Sequence, residues 1–530
     1  MSGTGKSIKY VSMTGDARLD GLLLGSAWGD AKIYYSVPSS YRDYGYYYGA
    51  GEHDGQFQVT GAMGAIMDFA LAEYGTAADG FSVEGFTNLS IEFTTKQGAH
   101  LRLSQTDSDP YGIGTAWGYY PSQDDTGGDV WFYSGNFDYS APVPGDYASM
   151  TIIHEIGHAL GLAHGHEGNG VDGPLPAEYD SMEYSVMTYR SYVGADPTTG
   201  YLNETYGYAQ SFMMLDIAAL QHMYGADFTT NSGNTTYTWT PDSGVTMING
   251  EAAITPGANR IFATIWDGGG IDTYDLSAYQ TEVYIDLTPG GHSVFSYEQL
   301  SLLGPDTVAR GNIFNALLYK GDTRSLIENV KGGSGDDIIL GNQANNRLEG
   351  NDGNDGLLGR AGRDTLLGQD GNDVLRGGGG RDLLQGDNGS DRLAGDAGDD
   401  RLIGGAGNDL LKGGTGKDVL IGGAGKDILF GEAGADVFRF TALSDSGLGK
   451  TSDIIRDFTR GSDVIDLSDL IDRPIEFRAD GTFGGHGPSL IAKTFQSGVE
   501  VLLDADGDGR ADFRIVVNDV ARLSEADFLL

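Results

Sequence analysis

Apolar residues along this chain fall into three distinct periods. Met63, Ile66, Met67, Ala70 and Tyr74 recur every three or four residues, which places them on one face of a helix. Leu89 to Thr94 and Asp129 to Tyr133 are short runs of apolar and aromatic residues and read as strands. The segment from Ser149 to His164, SMTIIHEIGHALGLAH, returns to helical spacing. These elements predict an α/β globular domain in the N-terminal part. From Gly332 to Arg439 the period becomes nine: the segment cuts into twelve units without an insertion, among them GNDGNDGLL and GGAGNDLLK, and the eighth residue is always Leu, Ile or Phe. Beyond the units, Asp453 to Phe458 and Asp463 to Leu467 are strand-like runs suited to capping the open end of a solenoid. No stretch holds 18 consecutive apolar residues, so no membrane insertion is expected.

Composition sharpens the reading of the nine-residue units. Of the 85 glycines, 30 lie within them, the first position is glycine in all twelve, and the sixth is aspartate in eleven, Asn346 being the exception. Glycines at the start permit a tight turn with positive φ, aspartate supplies a hard oxygen, and the eighth residue points inward from a very short strand. That combination is the calcium-binding repeat of a parallel β-helix, with two units per coil and about six coils. Stacked carboxylates repel unless a divalent cation lies between them, so Ca²⁺ is expected as a folding cofactor. A flexible linker would not keep an apolar residue at every ninth position.

The chain has 530 residues and a formal charge of −42, which works against phosphate neutralisation and hence against nucleic-acid binding. Its length suggests three or four domains. With no cysteine, thiol nucleophiles, disulfides and Cys-type zinc sites are excluded. The start, MSGTGKS, lacks the apolar segment of a secretory signal peptide.

Chemistry concentrates in HEIGHALGLAH. His154 and His158 are four residues apart, about 40° around a helix and one turn along it, so both can reach one ion. On a continued helix His164 would sit about 15 Å from His154 along the axis, too far to share it. Gly161 lies between, and a left-handed glycine can end the helix and swing His164 back. Three imidazoles around Zn²⁺ leave one position for water, and Glu155 beside the first ligand can take its proton. A methionine turn should follow, and Ser185 to Tyr189, SVMTY, supplies one around Met187. His166 and Glu167, just past the third histidine, either crowd the site or are solvated, and the solvated reading is preferred.

With both halves in view, the chain resembles the serralysin family of secreted zinc endopeptidases over nearly its whole length. The segments that carry the resemblance are HEIGHALGLAH, SVMTY, GDVWF ending at Phe132, SFMMLDIAALQHMYGA ending at Ala226, IWDGGGIDTYDLS ending at Ser277, the nonapeptides, and Asp527 to Leu530. The resemblance implies an α+β metzincin-type zinc protease domain (17–228), a β-rich connecting segment (229–331), an all-β parallel β-roll of RTX repeats (332–439), and a capping C-terminal β segment with a secretion signal (440–530). Residues 1–16 are candidates for removal as a propeptide. His154, His158 and His164 would bind zinc, Glu155 would act as general base and then acid, and Tyr189 would move off the metal to stabilise the oxyanion. Thr115 to Tyr120 looks like the family's edge strand, against which an extended peptide substrate pairs.

Calcium positions carry over residue by residue. Asp267, Gly269, Gly270 and Asp272 match a metal loop to which Asn231, Gly233 and Thr235 contribute, and Glu328, Gly333, Gly335 and Asp337 match the start of the roll. The repeat aspartates Asp355, Asp364, Asp373, Asp382, Asp391, Asp400, Asp409, Asp418, Asp427 and Asp436 continue the series. Two departures stand out: Gly165 follows His164 where many members have proline, and Leu326 replaces a small hydroxyl residue near Glu328. Asp504 to Asp512 imitates half of an EF-hand loop and reads equally as an acidic hairpin turn. The implied protein is a monomer, exported to the extracellular space through a type I secretion channel by a C-terminal signal. A noncatalytic calcium-dependent RTX adhesin would share the repeats but has no use for Glu155 beside His154. A lipase would need G-x-S-x-G, which the chain lacks.

Overall fold

The computed structural model describes residues 6–44, 52, 55–73, 76–112, 114–168 and 170–530. The chain divides into two compact units, one made of 1–273 with 289–327 and the other of 274–288 with 328–530.

In the first unit, α1 (Gly61–Leu71) starts where the Thr60 side chain accepts the Met63 N–H and buries Met63, Ile66, Met67 and Ala70. This is the face expected from the spacing, except that Tyr74 lies outside the described residues. Among the described residues a mixed sheet holds β1 (Lys32–Ser36), β2 (Ser90–Phe93), β3 (Leu101–Thr106), β4 (Ala116–Gly118) and β5 (Asp129–Tyr133), in the order β2-β1-β3-β5-β4. The first four in that order run parallel; β4 closes the row antiparallel, with Trp117 opposite Trp131. Helices α2 (Tyr147–Leu160) and α3 (Met214–Tyr224) complete the frame. Ile33, Leu101, Leu103, Val130 and Phe132 of the sheet and Met63, Ile152, Ile153 and Ile156 of the helices share one core and are at most 0 % exposed. At ~2 kcal/mol for each large side chain removed from water, such a core fixes α2 firmly against the sheet.

The second unit is a β-roll of two parallel sheets. Strands pair eighteen residues apart, Leu348 with Leu366 on one sheet and Leu357 with Leu375 on the other, so two nonapeptides make one coil. The eighth-position residues, from Ile339 and Leu348 to Leu429 and Phe438, are at most 2 % exposed and stack between the sheets. The turn chemistry differs from expectation in one respect. Positive φ occurs at the second and fourth positions, as at Gly378 (108°) and Gly380 (150°), and not at the invariant first glycine. That glycine is required for space: a Cβ on Gly350 would lie 2.1 Å from Asp355 Oδ2.

Beyond the repeats, Asp453–Ile455 and Val464–Asp466 extend the two sheets. Phe513–Asn518 continues the first of these extensions and folds back antiparallel on Gly498–Asp504, which pairs with Ser489–Phe495. Phe528–Leu529 adds a last parallel strand beside Val464–Asp466.

Candidate functional site

Helix α2 opens with Asp146, whose carboxylate accepts the Ser149 N–H at 2.7 Å, and ends at Gly161 with φ 110°. A side chain at Gly161 would also meet the Ser26 carbonyl oxygen at 2.5 Å, so two constraints select glycine there. The chain then turns back, held by Ala163 N–H to Leu22 O (2.8 Å) and Leu24 N–H to Gly161 O (3.2 Å). This brings His164 to the two helical histidines: its Nε2 is 2.8 Å from His158 Nε2 and 3.2 Å from His154 Nε2. His154 Nδ1 donates to Val186 O at 2.7 Å and His158 Nδ1 to Leu162 O at 2.8 Å, which leaves the Nε2 lone pairs aimed at a common point. Burial keeps the imidazoles neutral, lowering His154 to about 4 and His158 and His164 as well. Three neutral nitrogens converging within this distance fit a tetrahedral zinc ion with one side open.

Glu155 is buried beside them. The Gly118 N–H of β4 steadies its carboxylate, Oε2 has no partner, and burial pushes the acid up to about 8. Met187 is fully buried with its sulfur against Gly157 of α2, where a Cβ would come within 2.5 Å of it. The Tyr189 ring lies 4.5 Å from that of His164 and stacks at 5.8 Å on His154. His166 is not solvated as the sequence suggested: it stacks on His164 at 5.4 Å and lies 4.7 Å from Tyr189, while exposed Glu167 reaches within 2.9 Å of His164 Nδ1. A cleft of about 360 Å³ runs from Thr115 and Ala116 past His154, Glu155 and Tyr189 to a wall of Tyr147, Tyr201 and Tyr208.

The proposed calcium positions separate into three groups. In the roll, each repeat aspartate accepts on Oδ1 the backbone N–H of the sixth residue one coil earlier, from Asp355 with Asp337 (2.7 Å) to Asp436 with Asp418 (3.0 Å). Oδ2 is buried without a partner at all ten positions from Asp355 to Asp436. Burial, reinforced by neighbouring carboxylates, pushes these acids up, to about 7 at Asp355, Asp409, Asp418 and Asp427 and about 6 at Asp373 and Asp400. A ladder of orphaned hard oxygens fits Ca²⁺. Asn346 is different: its Oδ1 accepts from Asn342 N–H and its Nδ2 donates to Glu328 O, so this rung is satisfied by protein alone.

At the start of the roll, Asp337 has both oxygens occupied, by Val283 and Gly333 N–H groups, so Gly333 and Asp337 meet directly, whereas Gly335 packs on Thr281. The third group is the loop at Asp267. Gly269 N–H donates to Asp267 (2.8 Å), Thr235 N–H to Asp272 (2.7 Å), and the Thr235 hydroxyl to the Gly233 carbonyl (3.1 Å) and to that of Asn231 (3.2 Å). Gly270 approaches both Gly233 O and Asp272 Oδ1. Burial and the charge of Asp272 hold Asp267 well above the usual carboxylate range. Asp504 to Asp512 forms a hairpin loop in which Gly507 and Gly509 N–H groups donate to Asp504.

Sequence reasoning missed Asp453. It accepts the Asp427 N–H at 2.8 Å, as the next rung would, and its Oδ2 is likewise buried without a partner. Asp453 lies 26 residues after Asp427 instead of 18, so the period that marks the other rungs is broken by an insertion.

A family model described as Peptidase M10 serralysin C terminal matches residues 226–530, more than half of the chain. The chain belongs to the serralysin family. This serralysin-family chain is 33% identical over 251 residues to Serralysin of Proteus mirabilis, covering 45% of each protein. It is 35% identical over 231 residues to Serralysin C of Dickeya chrysanthemi, covering 42% of this chain and 43% of that one. Against Metallopeptidase AprA of Pseudomonas marginalis the figures are 31% over 271 residues, 48% and 51%. The chain spans about half the length of the curated relatives it matches. The solution structure of the AlgE6R3 subunit of the Azotobacter vinelandii mannuronan C5-epimerase is 32% identical over 31% of this chain and 80% of that one, with a TM-score of 0.21. Among the described residues no helix is long and apolar enough to cross a membrane.

Proposed function

We propose that this chain is a calcium-stabilised, secreted zinc endopeptidase of the metzincin type, hydrolysing peptide bonds of extracellular proteins. The observation that carries the reading is the constellation at His154, His158 and His164: three Nε2 atoms within 3.2 Å of their nearest partners, two of the rings locked by carbonyls, and the orphaned Glu155 Oε2 alongside. A zinc ion bound there supplies a Lewis acid for the scissile carbonyl and a water made acidic near neutral pH.

The remaining steps belong to the protein. An extended substrate adds as a strand along β4, the antiparallel end of the sheet, and places one side chain in the tyrosine-walled cleft. Glu155 takes the proton of the attacking water and later gives it to the leaving amine, a role open to a buried carboxylate whose Oε2 has no partner among the described residues. Burial raises the Tyr189 hydroxyl above its ordinary range, so it stays a neutral donor available to the developing oxyanion. Met187 and Gly157 pack the floor beneath the histidines. The buried aspartate ladder is read as the calcium sites of the roll, and export through a type I channel belongs to the same proposal. The test is zinc content and casein hydrolysis of the calcium-loaded chain. A folded protein that takes up no zinc, or that holds zinc and cleaves nothing, would refute the reading and favour a noncatalytic calcium module.

A further inference from the structure

The turn Ser185 to Arg190 carries Met187 and Tyr189 yet has no helix or strand of its own. Two buried carboxylates hold it. Asp216, fully buried in the first turn of α3, accepts the Ser185 hydroxyl at 2.6 Å, the Val186 N–H at 2.8 Å and the Met213 N–H at 2.9 Å. Asp180, 4 % exposed, accepts the Thr188 hydroxyl and, at 2.6 Å, the Arg190 Nε–H.

The two grips act on opposite ends of the turn. Val186 is bonded on both sides: its N–H goes to Asp216 and its carbonyl receives the Nδ1 proton of His154 at 2.7 Å. Fixing that carbonyl fixes the tautomer and tilt of the first histidine. Thr188 and Arg190 flank Tyr189 in the chain. Besides Asp180, the Tyr201 hydroxyl donates to Thr188 O (2.6 Å), Arg190 N–H to the Thr188 hydroxyl (3.1 Å), and Met182 N–H to Arg190 O (3.0 Å). The phenol ring is therefore aimed by a backbone held on either side of it.

We infer that Asp216 and Asp180 are positioning residues with separate outputs: Asp216 sets His154, and through it zinc affinity, while Asp180 sets Tyr189, and through it turnover. The inference rests on the zinc endopeptidase reading above. Carboxylates that orient metal ligands through an intermediate group commonly change metal affinity about 10- to 100-fold when removed. Removing a donor to a developing oxyanion commonly costs turnover about 100-fold; mispositioning one costs less.

The experiment uses the full calcium-loaded chain with Asp216→Ala, Asp216→Asn, Asp180→Ala and Asp180→Asn. Zinc affinity is read by competition with a chromogenic chelator, kcat and KM are read at saturating zinc on one peptide, and folding is read by near-ultraviolet circular dichroism. Asp216→Ala should weaken zinc binding about tenfold or more with kcat at saturating zinc within about threefold of the parent. Asp180→Ala should bind zinc within about threefold of the parent and lose about tenfold in kcat with KM little changed. The asparagine variants keep the shape and drop the charge, and should move in the same directions by less; they also give the answer if an alanine variant does not fold. Equal losses of zinc affinity in both series, or a folded Asp180 variant with unchanged kcat, would overturn the division. If the parent chain itself bound no zinc or cleaved nothing, the endopeptidase reading would fail instead.

Discussion

At the residue scale the strongest contrast is between two neighbours on one helix, His154 and Glu155. His154 offers Nε2 to a shared point because Val186 O takes its Nδ1 proton, whereas Glu155 keeps an oxygen that none of the described residues satisfies. Their replacements should therefore fail differently. Glu155→Ala should retain about one zinc per chain and lose hydrolysis by 100-fold or more, on the order expected for a lost general base; activity above a few per cent would mean another group carries the proton. His164→Ala should lose zinc, since two imidazoles remain where three converged. His166, stacked on the same ring, is the side chain that could substitute, so stoichiometric zinc in His164→Ala but not in the double variant with His166→Ala would reassign the third ligand. Atomic absorption and casein hydrolysis decide both cases.

At the element scale, the nonapeptide coil explains what the sequence could and could not reveal. The eighth-position leucines and sixth-position aspartates were legible because each contacts its equivalent one coil away, so the period of the sequence is the period of the contacts. The histidine triad was legible for a similar reason: eleven residues, one helix and one glycine contain it. Asp216 was not, because it meets Ser185 across 31 residues of chain with no repeat to advertise the pairing, and Asp453 was hidden by an insertion. The role of the first glycine was also misread from the sequence alone, since crowding by a carboxylate, unlike a turn, leaves no local pattern. That finding is testable. In Gly386→Ala the new Cβ would lie 2.2 Å from Asp391 Oδ2 and 2.6 Å from Gly404 O, so the aspartate must leave its place in the ladder. The variant should melt several degrees lower in calcium, on the order of 1–3 kcal/mol for overpacking, and need more calcium to fold. Melting by circular dichroism across a calcium titration reads this, and an unchanged midpoint would show that the glycine is not held by the carboxylate.

At the scale of the whole molecule, the ladder of orphaned carboxylates makes the second unit acidic along its length, and on the calcium reading its folding would wait on a cation. Without metal, protons are the only substitute. Burial raises the repeat carboxyls in the folded roll, to about 6 at Asp373 and about 7 at Asp355, Asp409, Asp418 and Asp427, against an unfolded value of ~3.9, so the folded state binds protons more tightly. The metal-free roll is therefore most stable below the unfolded value and loses stability as pH rises through 4 to 7. Calcium bound to the ladder would reverse the dependence, because it would bind the ionised form and be displaced by protons below about pH 6. Two melting series on the full chain follow, one in chelator and one in millimolar calcium. In chelator the β-signal should be weakest at about pH 7.5 and should strengthen, with a rising midpoint, as pH is lowered toward 5. In calcium the midpoint should be highest at about pH 7.5 and the gap between the two series should narrow on acidification. A metal-free midpoint that stayed flat, or climbed, between pH 5 and 7.5 would show that the aspartate ladder is satisfied without any cation, and the calcium reading of the roll would have to be abandoned.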